Sequence, residues 1–160
     1  LAQGREALRR FYARQQAEPE QPALIEERFK FLLDDVLVVG RWDRVDRRGD
    51  EVVIIDYKSS EVHDQDTADR RTRGSLQLLL YALAWRTLHG VLPARVELRF
   101  LDTGVTGRAR FSEEDLERAT GLVREAAHGI RSQDFHATPQ EFACRWCAFQ
   151  SICPFAFQSP

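Results

Sequence analysis

Hydrophobic and polar positions along the chain predict a mixed order of helices and strands. Apolar residues at helical spacing mark the helices, and alternating apolar and polar residues mark the strands. In chain order we predict a helix, three strands, a mobile loop, a helix, two strands and a helix, over residues 3–17, 24–33, 37–47, 51–58, 59–73, 75–89, 95–100, 106–111 and 112–130. The proline-containing segment 18–22 is expected to end the first helix. This order is typical of an α/β domain with a central mixed β-sheet flanked by helices.

The composition fits a folded domain. Of the 160 residues, 43% are hydrophobic and 30% are charged, which excludes a disordered chain. The net charge of -2 excludes a surface that is basic throughout and holds nucleic acid by charge alone. No apolar stretch approaches the ~20 residues that span a bilayer, and no signal peptide is visible, so we expect a cytoplasmic protein.

The domain organisation is predicted from the same patterns. The chain begins with Leu1 and contains no methionine, so we expect it to be a piece of a longer protein. We predict a core over residues 1–137, with its N-terminal part missing, and a cysteine-rich tail over 138–160 that packs on the same domain. The three cysteines are an odd number, which makes a complete disulfide framework improbable.

A predicted hairpin brings two carboxylates together. If residues 49–50 are the centre of a tight turn, Asp43 lies opposite Asp56 on one face of the two strands. On the same register Trp42 lies opposite Tyr57 on the other face. Two carboxylates about 5 Å apart repel by roughly 3 kcal/mol at an effective dielectric constant of about 20. A divalent cation between them would reverse the sign of that interaction, and Mg²⁺ suits such a pair.

Lys58 is expected to point into the same site, because it lies two residues after Asp56 on the same strand. Of the 23 Lys and Arg residues, only Lys30 and Lys58 are lysine, which suggests that a compact ammonium is needed there. The alternative is a pair of exposed aspartates, each paired with a neighbouring arginine among Arg41, Arg44, Arg47 and Arg48. On the following helix Gln77 and Tyr81 share a face, either as part of this site or as a solvated polar edge.

Three segments in this order resemble the motifs of RecB-type nucleases of the PD-(D/E)XK superfamily. They are Gly-Arg-Trp-Asp-Arg-Val-Asp at 40–46, Ile-Asp-Tyr-Lys-Ser at 55–59 and Gln-Leu-Leu-Leu-Tyr at 77–81. The resemblance implies that Asp43 and Asp56 bind metal, helped by the main-chain carbonyl of Tyr57. It also implies that Lys58 is the catalytic lysine and that Gln77 and Tyr81 support the site or contact DNA.

The tail is similar to the C-terminal cysteine cluster of AddB-type nucleases. Cys144 and Cys147 are followed by Cys153 and a proline, and in that family a fourth, upstream cysteine completes a [4Fe–4S] cluster. This chain has no upstream cysteine, and its first helix lacks the histidine that supports the metal in the family. We therefore expect the cluster in the longer parent protein. A zinc site that uses His136 is the main rival.

The opening residues 4–12 resemble the last helix before the core strands in nucleases fused to UvrD-like helicases. The resemblance as a whole implies a Mg²⁺- or Mn²⁺-dependent deoxyribonuclease, an exonuclease acting on single-stranded DNA within a helicase–nuclease of recombination or repair. We expect the chain alone to have weak activity, and Arg70, Arg71 and Arg73 of the predicted loop to meet DNA phosphates. The alternative is a catalytically silent module that binds DNA or serves as a scaffold in a helicase complex.

Overall fold

The computed structural model describes residues 2–17 and 22–157. The elements, in chain order, are α1 (Ala2–Ala17), β1 (Pro22–Leu33), β2 (Val36–Arg48), β3 (Glu51–Lys58), α2 (Gln65–Arg73), α3 (Leu76–His89), β4 (Arg95–Phe100), β5 (Thr106–Ala109), α4 (Glu113–Arg131), α5 (Glu141–Arg145) and a short 3-10 helix (Gln150–Ile152). The predicted break after the first helix falls at 18–22, of which 18–21 lie outside the described residues.

The five strands form one mixed sheet in the order β1-β2-β3-β4-β5. Neighbouring strands are antiparallel except for β3 and β4, which run parallel and are connected through α2 and α3. Parallel neighbours need such a crossover, because a tight turn can join only antiparallel strands. The predicted fold class, a central mixed sheet flanked by helices, is confirmed.

One face of the sheet packs on α3. Half of the side chains of this helix are buried, and they meet the apolar residues that alternate along β3 and β4. Ser75 caps the helix N-terminus by accepting a hydrogen bond from the backbone N–H of Leu78 over 3.2 Å. The core of the domain lies between this helix and the sheet.

The predicted mobile loop at 59–73 is wrong in its second half, which forms α2. Asp64 caps this helix by accepting a 2.8 Å hydrogen bond from the backbone N–H of Thr67. Ala68 and Thr72 are buried against Gly107 of β5, where a Cβ atom would collide with the carbonyl oxygen of Ala68 and the hydroxyl of Thr72. The short polar sequence has no apolar stripe, so its helix depends on the cap and on this close approach to β5.

The opposite face of the sheet is covered by α1. Ala7 is buried, and the ring of Phe11 meets the ring of Tyr57 edge-to-face with centroids 5.6 Å apart. Leu8 and Tyr12, which lie at helical spacing with Phe11, are exposed. The residues of β4 that alternate with its apolar ones therefore face a helix rather than water.

The chain divides into two compact units, Leu1–Arg124 and Glu125–Pro160. The second unit contains the end of α4, α5, the short 3-10 helix and all three cysteines, which form no disulfide. The division of the chain at residue 137, drawn from sequence, stays a prediction. No helix within 2–17 and 22–157 combines the length and apolar character that crossing a bilayer requires.

Candidate functional site

The hairpin of β2 and β3 has the register that the sequence predicts. Arg48 pairs with Glu51, and the ladder continues without a shift to the pair of Arg44 and Ile55. Gly49 adopts the left-handed conformation at the start of the two-residue turn, with a φ of 60°. Because two-residue hairpin turns favour glycine where φ is positive, the turn sequence fixes this pairing.

Asp43 and Asp56 lie one position beyond the pair of Arg44 and Ile55, and their side chains lie close together. Asp43 Oδ2 accepts a hydrogen bond from the backbone N–H of Tyr57 over 3.2 Å, so its carboxylate reaches across to the end of β3. Asp56 is 1% exposed, which rules out the alternative of two solvent-exposed aspartates. The structure thus brings both predicted carboxylates to one place at the edge of the core.

Trp42 is not on the face that the sequence predicts. Its ring packs on Phe29 and Trp85, and its indole N–H lies 3.3 Å from the carbonyl oxygen of Tyr81 on α3. Trp42 and Val45 are three residues apart and share the same apolar cluster, although strict alternation would place them on opposite faces. The alternation is broken beside Glu26 of β1, which has a φ of 52° and no partner in the register of β1 with β2.

Lys58 forms an ion pair with Asp56. Lys58 Nζ lies 2.6 Å from Asp56 Oδ2, and the lysine side chain is 37% exposed while that of Asp56 is almost fully buried. The contact lacks the angles of a hydrogen bond, so Oδ2 is a buried carboxylate oxygen with no hydrogen-bond partner among the described residues. A buried carboxylate oxygen is costly unless it is paired with a positive group, and the ion pair with Lys58 supplies one here.

Burial raises the pKa of Asp56 above its ordinary value. Lys58 opposes the rise by stabilising the carboxylate, and the neighbouring charge of Asp43 adds to it. The pKa of the Tyr81 phenol is also raised, first by burial and further by the charges of Asp56 and Asp43, while its hydrogen bond with Gln77 opposes the rise. Both shifts show that negative charge is concentrated in a poorly solvated place.

Gln77 and Tyr81 extend the site along α3. Lys58 Nζ donates a hydrogen bond to Gln77 Oε1 over 2.8 Å, and Gln77 Nε2 donates to the Tyr81 hydroxyl over 2.9 Å. The four-residue spacing of Gln77 and Tyr81 places them on one side of the helix, as their sequence predicts. They do not form a separate polar edge, because the amide of Gln77 connects the tyrosine to the lysine.

We expect the stability of the chain to reflect the titration of Asp56. The raised pKa means that the folded chain holds this proton more tightly than the unfolded chain, whose value is near 3.8. The contribution is present at low pH and is lost as pH rises through the raised pKa. Asp56→Asn, which cannot titrate there, should therefore gain melting temperature relative to the unsubstituted chain as pH rises.

Thermal melts of both chains in EDTA, followed by circular dichroism between about pH 4 and pH 7, measure this difference. Carboxylates that do not contact position 56 titrate equally in the two proteins, so the difference between the melting temperatures reports on Asp56 and its coupled neighbour Asp43. A difference that stays constant over this pH range would contradict the expectation.

The donor atoms present suit a hard divalent cation. Two carboxylates, one of which has a buried oxygen without a hydrogen-bond partner among the described residues, match the preference of Mg²⁺ for one or two carboxylates with water in its other positions. Within the described residues, however, no three Cys, His, Asp or Glu side chains come together as a set of metal ligands. The site therefore holds a pair of acidic ligands rather than a closed cage.

The three cysteines of the tail are likewise not assembled into such a set within the described part of the chain. Cys144 and Cys147 lie on one turn, where the backbone N–H of Cys147 donates to the carbonyl oxygen of Cys144 over 3.1 Å. His136, the rival zinc ligand, contacts Asp134 instead. The order of the tail is thus local, and its relation to a cluster stays a prediction.

The predicted DNA-contacting arginines lie on α2 rather than in a mobile loop. Arg70, Arg71 and Arg73 are exposed, and Arg70 also contacts the hydroxyl of Thr67. Helix α2 packs at Gly107 of β5. Gly107 pairs with Leu98 of β4, and Leu98 pairs with Asp56 of β3. Residues in one row across a sheet share a face, so α2 lies on the same face as the carboxylates.

The sequence analysis misses the polar layer on the opposite face of the sheet. Arg44 donates to both oxygens of Asp46 over 2.6 and 3.0 Å, and both side chains are buried. Next to them the buried carboxylate of Glu97 accepts hydrogen bonds from Arg95 and Arg99. The alternation of arginine and glutamate along β4 is a signal for this layer, but it is equally typical of a solvated face.

Comparisons with known proteins agree with this architecture. No curated protein matches the chain in sequence. The crystal structure of SSO0001 is similar in fold, with a TM-score of 0.54 and 14% identity over 95% of this chain and 68% of that chain. A family model described as the PD-(D/E)XK nuclease superfamily matches residues 2–154. Since this match spans nearly the whole sequence, the chain belongs to the PD-(D/E)XK nuclease superfamily.

Proposed function

We propose that the chain is a metal-dependent deoxyribonuclease domain that hydrolyses phosphodiester bonds. The observation that carries the proposal is the buried Asp56 oxygen, which has no hydrogen-bond partner among the described residues and lies beside Asp43 and Lys58. Two acidic groups and one ammonium at the end of neighbouring strands are the set that metal-assisted phosphoryl chemistry needs. The membership in a nuclease superfamily supports the same conclusion.

In this proposal Asp43 and Asp56 hold Mg²⁺ or Mn²⁺, together with the main-chain carbonyl of Tyr57. A cation held by these groups would supply an activated water and would neutralise charge on the phosphate. The backbone N–H of Tyr57 orients the carboxylate of Asp43 toward the site through its 3.2 Å hydrogen bond. Because the carboxylates repel in the free protein, the cation removes an unfavourable interaction when it binds.

Lys58 stabilises the negative charge that develops on the phosphate as the bond breaks. Its Nζ atom lies beside Asp56 and is aimed by the amide oxygen of Gln77, 2.8 Å away. Tyr81 holds the amide of Gln77 through its hydroxyl. Gln77 and Tyr81 are therefore positioning residues, which act on the reaction through the lysine.

We propose single-stranded DNA as the substrate, contacted by Arg70, Arg71 and Arg73 of α2. These exposed arginines share the face of the sheet that carries Asp56, so a strand that crosses α2 would bring its phosphates toward the carboxylates. A strand bound mainly through phosphates is held without regard to sequence, which suits a degradative enzyme.

The finer assignment follows the motifs and is also proposed. The order of the three segments at 40–46, 55–59 and 77–81 supports a RecB-type exonuclease associated with a helicase in recombination or repair. The spacing of Cys144, Cys147 and Cys153 supports thiolate ligation of an iron–sulfur cluster in the parent protein, completed by a fourth ligand from outside this chain.

A second candidate function is a DNA-binding module without catalysis. The absence of a third acidic or histidine ligand among the described residues favours it, because a weakly held cation would be a poor catalyst. The retention of Lys58 beside Asp56 opposes it, since binding alone needs no ammonium at this point.

The test is cleavage of an end-labelled single-stranded oligonucleotide by excess chain with Mg²⁺ or Mn²⁺, with EDTA as the blank. Excess enzyme reveals even weak activity within one turnover. Cation-dependent shortening of the strand is the expected result. Binding of the oligonucleotide in a gel-shift assay, without shortening under any of these conditions, would favour the second candidate.

A further inference from the structure

A cavity of about 280 Å³ opens on the face of the sheet opposite to Asp56. It lies between α1, the outer strands β4 and β5, and the connection between those strands. Side chains alternate along a strand, so Glu97 and Arg99 point into this cavity while Leu98, the register partner of Asp56, points to the core. The cavity is thus separated from the proposed nuclease site by the thickness of the sheet.

Positive charge dominates the walls. Among the described lining residues five are arginines and one is acidic, namely Arg10, Arg14, Arg95, Arg99, Arg108 and Glu97. The chain as a whole has a net charge of -2, so this concentration of arginine is a local feature. We call this cavity, with its five arginine side chains, the arginine cavity.

The one acidic lining residue neutralises only part of this charge. Glu97 is 2% exposed, and its two oxygens accept hydrogen bonds from Arg95 over 2.8 Å and from Arg99 over 3.0 Å. The guanidinium group of Arg108 also lies near this carboxylate, 3.6 Å away. A single carboxylate therefore orients three guanidinium groups, of which Arg99 also lies 3.9 Å from Asp46 and Arg95 lies 4.0 Å from Glu51.

Arg10 and Arg14 of α1 line the other side of the cavity. Arg14 donates to the carbonyl oxygen of Gly104 over 3.0 Å, and Arg10 donates to that of Asp102 over 3.4 Å. They are four residues apart on one helix face, a spacing at which like charges repel. Arg10 also forms an ion pair with Glu6 over 3.3 Å, whereas Arg14 is held by the neutral carbonyl oxygen of Gly104.

The size and the lining indicate the kind of anion. The planar guanidinium fork matches phosphate oxygens, and a phosphomonoester carries nearly two negative charges at neutral pH. Phe11, Leu101 and Val105 add an apolar wall, against which a flat or apolar group can pack. The volume lies at the small end of ligand pockets, so the occupant is a small molecule.

We propose that the arginine cavity binds a phosphomonoester of mononucleotide size, with the phosphate among the guanidinium groups and the remainder against the apolar wall. Nucleic-acid strands are a poorer fit, because the partly enclosed volume has room for about one nucleotide. This site is independent of the proposed nuclease chemistry, since it uses none of the residues assigned to it.

The experiment is isothermal titration calorimetry of the chain with dAMP in EDTA and low salt, where surface electrostatics are least screened. Deoxyadenosine, inorganic phosphate and a 5′-phosphorylated oligonucleotide are titrated under the same conditions. We expect saturable binding of dAMP, weaker binding of inorganic phosphate and none of deoxyadenosine. Binding of dAMP that exceeds that of the oligonucleotide identifies a free mononucleotide rather than a strand end.

Variants locate the binding. Arg14→Gln combined with Arg108→Gln should raise the Kd of dAMP by about tenfold or more, because two charge-assisted contacts are lost. Both side chains are largely exposed, so melting temperature should change little. The matched control is Arg9→Gln, a neighbouring arginine of α1 that is exposed and does not line the cavity.

Three results would overturn the proposal. The first is the absence of saturable dAMP binding by the folded chain. The second is an equal loss of affinity in Arg9→Gln, which would indicate attraction to a basic surface rather than a site. The third is loss of dAMP binding in Lys58→Ala, which would move the nucleotide to the opposite face. Cleavage of DNA plays no part in any of these readouts, so the nuclease proposal stands or fails separately.

Discussion

Lys58→Ala is expected to lower cation-dependent DNA cleavage by roughly 100-fold or more, the usual cost of removing one preorganised charge-stabilising group. The Nζ atom of Lys58 lies 2.6 Å from Asp56 Oδ2 and 2.8 Å from Gln77 Oε1, so the substitution removes the ammonium that both side chains contact. The rate is measured in a single-turnover assay with an end-labelled single strand.

The matched control for this variant is Lys30→Ala. Lys30 is the other lysine of the sequence, and it lies exposed on β1, opposite Val39. Its removal changes the net charge equally and should leave the cleavage rate within about twofold, since surface charges contribute little at a distance. Undiminished cleavage by Lys58→Ala would refute the assignment of the lysine and with it the proposed mechanism.

Asp56→Asn should abolish cleavage and also the stabilisation of the chain by Mn²⁺. A cation that binds only the folded state at about 100 times its Kd stabilises it by roughly 2.7 kcal/mol. The variant keeps the shape of the buried side chain but removes half of the acidic pair. We therefore expect its melting temperature in EDTA to equal or exceed that of the unsubstituted chain, and to be insensitive to added Mn²⁺.

Thermal denaturation with and without Mn²⁺ measures this loss directly, without reference to activity. Asp50→Asn serves as the control, because Asp50 is exposed in the hairpin turn and should leave the Mn²⁺-dependent shift intact. If Asp56→Asn retained the full shift, the cation would be bound elsewhere, and the acidic pair would have a different role.

The sequence predicts the hairpin well because its information is local. A glycine in the turn and alternation in both strands set a register that the structure reproduces from Arg48 to Arg44. The same information places Asp43, Asp56 and Lys58 together, because they are close along the hairpin. Helical spacing places Gln77 beside Tyr81, but the contact of Gln77 with Lys58 joins residues 19 positions apart, and only the family resemblance implies it.

Features that depend on distant contacts are not predictable in this way. Trp42 faces α3 although strict alternation from Val45 would place it on the other face, and nothing in the local pattern signals that change. Helix α2 needs the space that Gly107 leaves for it, about 40 residues further along the chain. The burial of Glu97 requires α1 on the polar side of β4, and the sequence of the strand alone cannot show which element covers it.

The length of the two-residue turn at 49–50 sets the pairing of β2 with β3, and with it the positions of side chains on both faces of the sheet. Along β2 the acidic residue that meets Tyr57 is followed directly by Arg44, whose guanidinium is buried against Asp46 on the far side. Inserting a single residue into the turn would shift β2 against β3 by one position. Arginines would then occupy the positions of the acidic residues on both faces of the sheet. Changes in the length of this hairpin should therefore be far more damaging than most substitutions within it.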